Sequence, residues 1–244
     1  MFKISREKPL IGILGYGEIG RAIAKLYKRP LIKDLNRDDG LASVDILHVC
    51  IPWSDRFIKI LEKEINTIKP GLTIIHSTVA PGTTKKLSDK FFGRVVHSPV
   101  RGKHPHLYES IKVFVKYVGY DDEGAGILAE SHLRSVGIKT KKVFSSMTTE
   151  VGKLLDTTYY GMCIAWHGEM KKICNKIGID FKDAVTEFNK TYNEGYGKMG
   201  ESRFIRPVLA PPEGIIGGHC VIPNAKILKE YTDCEALDML LKYE

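Results

Sequence analysis

The feature that most constrains the fold of this chain is a glycine-rich segment that starts at residue 15. It comes directly after an apolar run of strand length at residues 10–14 and directly before a helix-like run at 21–27. In this setting the first glycine permits a tight turn, the second admits a phosphate to the backbone, and the third lets the helix pack on the strand. The N-terminus of the helix also binds phosphate through its N–H groups. The pattern predicts a dinucleotide-binding site formed by Gly15, Tyr16, Gly17, Glu18, Ile19 and Gly20.

Asp34 supplies the acidic residue that usually accompanies this fingerprint. It closes a short apolar run at residues 30–34. It follows the first glycine by about 20 residues, the spacing typical of an acid that binds the adenosine ribose hydroxyls. Its carboxylate should repel the additional phosphate of NADP, so the sequence favours NAD as the cofactor. Lys33 and Arg37 act in the opposite direction, because each could attract that phosphate.

Strand-like and helix-like segments alternate over the first 146 residues. Strand patterns occur at 44–51, 72–76, 94–97, 113–118 and 138–144, and helical patterns occur at 55–68 and 122–135. This alternation predicts an α/β fold with a Rossmann-type doubly wound parallel sheet. In such sheets ligands bind beyond the carboxyl ends of the strands. We therefore expect Pro52, Ser77, Thr78 and the loop at 97–103 to line the same edge as the glycine-rich segment.

The last third of the chain has a different character. Residues 147–177 contain no proline and predict one long helix with an extensive apolar surface, and a second helical pattern follows at 181–196. A glycine- and proline-rich loop then leads to Cys220, and two short helical patterns follow at 225–231 and 236–243. We predict an NAD-binding domain at 1–146 and a small helical domain at 147–244. The apolar surface of the long helix predicts a homodimer.

Charge and cysteine content narrow the classes of partner. The net charge of +8 favours a small anionic substrate, and the scattered lysines and arginines argue against nucleic acid. The chain has five cysteines without a Cys-x-x-Cys pair, and it has no signal peptide or long apolar run. These features predict a reduced, cytoplasmic compartment and no membrane contact. His104 and His106 flank a proline without a third ligand at a metal-binding spacing, so no metal site is expected.

Four motifs together resemble the UDP-glucose/GDP-mannose dehydrogenase family. Ser77-Thr-Val-Ala-Pro-Gly-Thr-Thr84 is similar to the family's loop beside nicotinamide and substrate. Glu150-Val-Gly-Lys153 resembles the segment that bears its catalytic lysine, and Cys174-Asn-Lys-Ile-Gly-Ile-Asp180 resembles the Gly-Ile-Asp segment that follows its long helix. Gly217-Gly218-His219-Cys220 resembles its nucleophile loop, in the form found among hexosaminuronate-forming members.

The resemblance implies an NAD-dependent oxidation of a sugar-nucleotide alcohol to a carboxylate in two hydride transfers. It assigns Cys220 as the nucleophile that forms a thiohemiacetal and then a thioester, which water hydrolyses. Lys153 would stabilise the oxyanion or act as a base, and Thr78 would position water or a substrate hydroxyl. His219 would either activate the thiol or shape the loop. The residues expected to contact the substrate are Arg101, Arg206, Gly217, Gly218 and His219.

The sequence departs from the family's pattern at several positions. Thr157 replaces an asparagine one helical turn after Lys153, which alters an oxyanion donor. Asn224 replaces an aspartate four residues after Cys220 and cannot act as a base. Both remain candidate catalytic residues. The loop at 98–103 has no carboxylate, and the sequence stops before the family's third domain. The substrate is therefore expected to be smaller, or its nucleotide to be held differently.

Two other functions are compatible with the same residues. A two-electron hydroxy-acid dehydrogenase would also join a Rossmann domain to a long helix with an essential lysine, and it would not need Cys220. An NAD-binding regulatory or assembly protein would bind the cofactor without turning over any alcohol.

Overall fold

A computed structural model describes residues 8–102, 105–218 and 220–244. The chain forms two compact units, Met1–Lys153 and Leu154–Glu244. The first unit alternates strands and helices, whereas the described part of the second is helical. The boundary between the units falls inside one continuous helix, Ser146–Ile177. The division into domains after residue 146 stays a prediction from the sequence.

The described strands of the first unit form one sheet. They are β1 (Ile11–Leu14), β2 (Leu31–Asp34), β3 (Arg37–Asp38), β4 (Ile46–Val49), β5 (Leu72–Ile75), β6 (Val95–His97), β7 (Lys116–Tyr120) and β8 (Thr140–Phe144). Their order in the sheet is β3-β2-β1-β4-β5-β6-β7-β8. Neighbouring strands are parallel except in the pairs β2–β3 and β6–β7. The doubly wound α/β fold predicted from the alternating pattern is confirmed.

Helices cover both faces of this sheet. They are α1 (Glu18–Ala24), α2 (Phe57–Ile68), α3 (Thr83–Lys90), α4 (Leu107–Val113) and α5 (Glu123–Ser135). Residues of α1, α4 and α5 pack into one apolar cluster, and residues of α2 and α3 pack into another. Strand β1 contributes Ile13 to the first cluster and Leu14 to the second. Because the central strands are buried on both faces, their sequences are unbroken apolar runs.

The region after β6 differs from the sequence prediction. The strand predicted at 113–118 begins only at Lys116, because α4 extends to Val113. Strand β7 then runs antiparallel to β6, so the sheet is mostly but not wholly parallel. This direction brings Lys116 to the end of the sheet where the chain leaves β6. Its buried Nζ donates hydrogen bonds to the carbonyls of Ser98 at 2.6 Å and Pro99 at 3.0 Å.

The second unit is built on the long helix, named α6 (Ser146–Ile177). A π-helical segment (Lys182–Glu187) continues into α7 (Phe188–Lys198), and a 3₁₀ turn (Ser202–Phe204) follows. Two short helices, α8 (Val221–Lys229) and α9 (Glu235–Leu241), complete the unit. No helix among the described residues has both the length and the apolar composition that a bilayer crossing requires.

Helices α8 and α9 lie close against α6. A Cβ on Gly161 would lie 2.4 Å from Val221 Cγ1 and 3.2 Å from Leu240 Cδ1, so only glycine allows this approach. Further along α6, the Tyr243 hydroxyl donates a hydrogen bond to Glu169 Oε1 at 2.6 Å. The C-terminal helices are therefore packed on the long helix rather than attached loosely to it.

Candidate active site

The glycine-rich segment forms the turn between β1 and α1, and packing requires two of its three glycines. Gly15 has φ 93°, and a Cβ there would lie 2.8 Å from backbone atoms of Cys50 and Ile51. A Cβ on Gly20 would lie 2.0 Å from the carbonyl oxygen of Gly15. At Gly17, by contrast, no described atom lies within 4 Å of a Cβ position. The segment thus combines a tight turn with one backbone position that a pyrophosphate can approach, which fits a dinucleotide.

Asp34 connects the end of β2 to this turn. Its Oδ2 accepts a hydrogen bond from the Tyr16 N–H at 2.6 Å, and its Oδ1 accepts one from the Leu35 N–H at 2.6 Å. A carboxylate oxygen has two acceptor positions, so each oxygen can still accept a bond from a ribose hydroxyl. The contact places an acid beside the turn, where the adenosine ribose of a dinucleotide binds in folds of this type.

The two cations that flank Asp34 are paired with other carboxylates. Lys33 Nζ lies 2.8 Å from Glu64 Oε2, and Arg37 Nη2 lies 2.7 Å from Asp39 Oδ2. The Arg37 guanidinium also lies 5.5 Å from the centre of the Tyr16 ring. Both of these positive charges are therefore compensated within the protein.

The loops that follow β4 and β5 are joined by a hydrogen bond. The Ser77 hydroxyl donates to the Ile51 carbonyl at 2.6 Å, and Ser77 is buried. Thr78 is half-buried and Pro52 is exposed. Ser77 therefore holds the two loops together, while Thr78 and Pro52 remain accessible at the carboxyl edge of the sheet.

Glu150, which sequence patterns alone do not single out, reaches the same edge from the start of α6. It is fully buried, and its two carboxylate oxygens accept hydrogen bonds from the N–H groups of Gly82 and Thr84. Lys153 follows three residues later on the same helix and is half-buried. The only sequence signal for Glu150 is its place in Glu150-Val-Gly-Lys153.

Behind this edge lies a chain of buried polar groups. His48 Nδ1 lies 2.8 Å from His76 Nε2, and His76 Nδ1 donates to the Ser98 carbonyl at 2.8 Å. Lys116 donates to the same carbonyl. Burial lowers the pKa of Lys116 to about 7 and lowers the pKa of both histidines well below the usual range. These neutral rings and the buried amine hold the loop after β6 in place.

The cysteine loop of the second unit is open, whereas the glycine-rich turn of the first unit is packed. Cys220 is half-buried directly before α8, and Gly217 and Gly218 are exposed. No described atom lies within 4 Å of a Cβ position at either glycine. Asn224 is buried on α8, and its backbone N–H donates to the Cys220 carbonyl at 3.1 Å. His219 lies outside the described residues.

The remaining candidates are distributed over both units. Arg101, in the first unit, is half-buried and its guanidinium lies 5.8 Å from the centre of the Phe114 ring. Thr157, in the second unit, is half-buried on α6. Arg206, also in the second unit, is exposed and stacks 3.6 Å from the centre of the Tyr192 ring. In the described part of the chain, no three His, Cys, Asp or Glu side chains are grouped so as to hold a metal ion.

The chain is similar in sequence to curated proteins named UDP-N-acetyl-D-mannosamine dehydrogenase. It is 31% identical over 172 residues to the one from Methanocaldococcus jannaschii, a match that covers 66% of this chain and 37% of the relative. It is 25% identical over 202 residues to one from Methanococcus maripaludis, covering 82% of this chain and 42% of the relative. The chain therefore spans less than half the length of these relatives. No protein-family model matches it.

Solved structures share the fold at lower identity. The structure of UDP-D-ManNAc dehydrogenase from Pyrococcus horikoshii aligns with a TM-score of 0.73 at 19% identity, over 96% of this chain and 67% of that one. A 3-hydroxyisobutyrate dehydrogenase from Mycobacterium tuberculosis aligns with a TM-score of 0.67 at 12% identity, over 96% of this chain and 91% of that one.

Proposed function

Because this chain belongs to the UDP-glucose/GDP-mannose dehydrogenase family, we propose that it is an NAD-dependent dehydrogenase that oxidises a CH–OH group of a sugar nucleotide. The observation that carries the proposal is the glycine-rich turn, in which Gly20 packs on Gly15 while Asp34 bonds to Tyr16. The names of the relatives make UDP-N-acetyl-D-mannosamine the first substrate to test.

The surroundings of Asp34 support NAD rather than NADP. The additional phosphate of NADP would approach this carboxylate, which repels it. Two cations that flank Asp34 in the sequence, Lys33 and Arg37, already pair with Glu64 and Asp39. We expect the dinucleotide to contact the backbone of residues 15–20, and Pro52, Ser77 and Thr78 to lie beside its nicotinamide half.

The proposed reaction has two oxidation steps, and a separate NAD molecule would accept the hydride in each. In the first, the substrate alcohol gives up a hydride and a proton to become an aldehyde. The Cys220 thiolate then adds to the aldehyde carbon, and the resulting thiohemiacetal loses a second hydride and a proton to become a thioester. Water hydrolyses the thioester, which releases the carboxylate and restores the thiol.

Other side chains of this protein would support these steps. Lys153 stabilises the oxyanion of each tetrahedral species, or accepts the proton of the alcohol. The hydroxyls of Thr78 and Thr157 orient water or the substrate. Asn224 is buried and carries an amide, so it contributes hydrogen bonds but not base catalysis.

The groups proposed to bind the anionic substrate come from several segments. Arg101 and Arg206 offer guanidinium groups to phosphate, which they can bind through paired N–H donors. Gly217 and Gly218 are exposed and precede Cys220 closely in the chain, and their backbone N–H groups are proposed as further donors to the substrate. His219 is proposed for the same loop on the strength of the motif alone.

Counting the NADH formed per molecule of substrate tests this function. With a limiting amount of UDP-N-acetyl-D-mannosamine we expect two NADH for each substrate consumed. Cys220→Ser should abolish carboxylate formation, because serine lacks a thiolate. Cys234→Ser is the matched control, because Cys234 is also half-buried and also directly precedes a short helix, α9. Equal loss in both variants would contradict the nucleophilic role of Cys220.

A second candidate function is a two-electron hydroxy-acid dehydrogenase. The observation that favours it is the shared fold: the match with 3-hydroxyisobutyrate dehydrogenase covers 96% of this chain, and Lys153 lies on the long helix α6. This function predicts one NADH per hydroxy acid, a requirement for Lys153 and no effect of Cys220→Ser. Binding of NAD without turnover of either substrate class would instead support a regulatory or assembly role.

An exposed apolar stripe on α6 supports the proposal that the protein forms a homodimer. Five exposed side chains in the second unit repeat at intervals of four and seven residues, so they lie within roughly 40° of one another around the helix. They are Leu155, Tyr159, Trp166, Ile173 and Ile177, with exposures of 53%, 68%, 50%, 51% and 63%. A second copy of the chain would cover this stripe. Sedimentation should show a dimer that Trp166→Asp converts to monomer, and a monomeric wild-type protein would contradict the assignment.

A further inference from the structure

The carboxylate of Glu150 caps a helix from a distant part of the chain. Its Oε2 accepts the Gly82 N–H at 2.6 Å, and its Oε1 accepts the Thr84 N–H at 2.7 Å. These donors lie at the start of α3, whose N-cap residue Gly82 has φ 84° and no side chain to cap the helix itself. Glu150 therefore supplies the bonds that a local serine or aspartate usually supplies.

Burying the Glu150 carboxylate costs free energy, which argues for a role beyond capping α3. Burial raises the pKa of Glu150, although the hydrogen bonds from Thr84 and Gly82 act to lower it. A serine or aspartate at residue 82 would be strained, because φ there is 84°, so a side-chain cap for α3 comes from another segment of the chain. That segment is the start of α6, so the cap also connects α3 to α6.

The residue before Glu150 reaches the other end of the same loop. The Thr149 hydroxyl lies 2.8 Å from His97 Nδ1, and His97 Nε2–H donates to the Ser77 carbonyl at 3.1 Å. His97 is fully buried, and burial lowers its pKa to about 3, so the ring is neutral. Two consecutive residues of α6 thus hold the loop from Ser77 to Thr84 near both ends, Glu150 directly and Thr149 through His97.

We propose that Glu150 is a positioning residue, which sets the loop bearing Thr78 at a defined place relative to Lys153. Lys153 lies three residues after Glu150, close to one turn further along the same helix. Any displacement of α3 and its loop against α6 would change the distance between Thr78 and Lys153. The inference rests on the proposed function, because it assigns Glu150 to the reaction in which those two residues act.

Glu150→Gln tests the proposal with a side chain of the same length. The amide can accept only one of the two N–H bonds and turns its NH₂ group toward the other donor. We expect kcat to fall about 10-fold to 100-fold, the range that follows from losing a hydrogen bond to a charged group. The dissociation constant of NAD should stay within about 2-fold of the wild-type value, because the residues that hold the adenosine half are untouched. Glu150→Asp, which keeps the charge but is one carbon shorter, should fall between Gln and wild type.

Glu123→Gln is the matched control. Glu123 also lies in the first turn of a helix, α5, but it is exposed and pairs with Lys142 at the surface. The same chemical change there should leave kcat and the affinity for NAD unchanged. A fall in kcat equal to that of Glu150→Gln would overturn the assignment.

Amide hydrogen exchange separates a positioning role from a general structural role. In Glu150→Gln the amides of Gly82 and Thr84 should exchange at least about 10-fold faster, while amides of β1 and β4 keep their wild-type rates. Faster exchange with unchanged kcat would overturn the positioning role. So would a fall in kcat accompanied by an equal loss of NAD affinity and by faster exchange throughout the first unit. If the wild-type protein turns over no substrate, the proposed function is wrong. The exchange measurement still tests the loop contact, because unchanged exchange at Gly82 and Thr84 in Glu150→Gln would overturn it.

Discussion

The glycine-rich turn of the first unit and the cysteine loop of the second both depend on glycine, but for different physical reasons. At Gly15 and Gly20 a Cβ would lie within 3 Å of backbone atoms, so the turn cannot form with any other residue. At Gly217 and Gly218 no described atom lies within 4 Å of a Cβ position. Packing requires the first motif, whereas in the second only Gly218 requires glycine, because its φ is 95°. Glycine is therefore required by close backbone contact in the first motif and by backbone conformation in the second.

The largest effect is expected for Gly20→Ala, in the packed turn. Its Cβ would lie 2.0 Å from a carbonyl oxygen, and backbone cannot move aside as a flexible side chain can. We expect a loss of at least about 3 kcal/mol in the free energy of unfolding, measured by urea titration. Gly17→Ala in the same turn is the control and should leave that free energy within about 0.5 kcal/mol. Equal stability of the two variants would remove the distinction between packed and open glycines.

A smaller effect is expected for Asp34→Asn, which weakens the packed turn without a steric clash. The amide can accept only one of the two backbone N–H bonds that the carboxylate accepts, and it carries no charge toward the ribose. The affinity for NAD, measured by calorimetry, should fall about 10-fold or more. Asp38→Asn is the control, because Asp38 is exposed and bonds to Gly40 rather than to the turn. If Asp34→Asn binds NAD with unchanged affinity, the ribose does not bind beside Asp34.

The third prediction concerns the pH dependence of stability. The strongly buried groups whose pKa is shifted lie in the first unit, so the effect is expected there. The pKa of Lys116 is lowered from 10.5 to about 7, so above pH 7 the unfolded chain binds a proton that the folded chain has released. Stability should therefore rise with pH from about 7.5 to 8.5, by up to about 1.4 kcal/mol per pH unit. Urea titrations at several pH values measure this slope.

Lys116→Met identifies the source of that slope. The variant leaves two carbonyls without their donor and is expected to lower stability at every pH, but the slope itself should decrease. Above this range Cys50 opposes the trend, because burial raises its pKa to about 12 and the folded state then binds the additional proton. An identical slope in wild type and Lys116→Met would show that this lysine is charged in the folded protein.

The smallest effect is expected for Gly217→Ala, in the open loop. A Cβ there meets no described atom, and the backbone of Gly217 is not in the left-handed region. The free energy of unfolding should change by no more than about 0.5 kcal/mol. Any loss of substrate turnover in this variant would then report on contact with the substrate rather than on folding. A large loss of stability would show that this loop is packed like the glycine-rich turn.

The elements that sequence patterns predicted well are those set by local periodicity. The apolar runs of β1, β4 and β5 and the proline-free stretch of α6 depend on residues close together in the chain. Helix α4 was not predicted because its seven residues bury only Leu107 and Ile111, which is too short a pattern to recognise. The strand prediction at 113–118 was displaced for the same reason.

By itself the sequence determined the α/β fold, the glycine-rich turn and the placement of Asp34 beside it, because these depend on short spacings and on the steric limits of single residues. Only the tertiary structure decided that Glu150 holds the loop at Gly82 and Thr84 and that Lys116 is buried against Ser98. These contacts join residues 68, 66 and 18 positions apart. The sequence shows the same residue whether its carboxylate or amine is solvated or buried. Its surroundings, and with them its pKa and its partners, exist only once the helices and strands have packed.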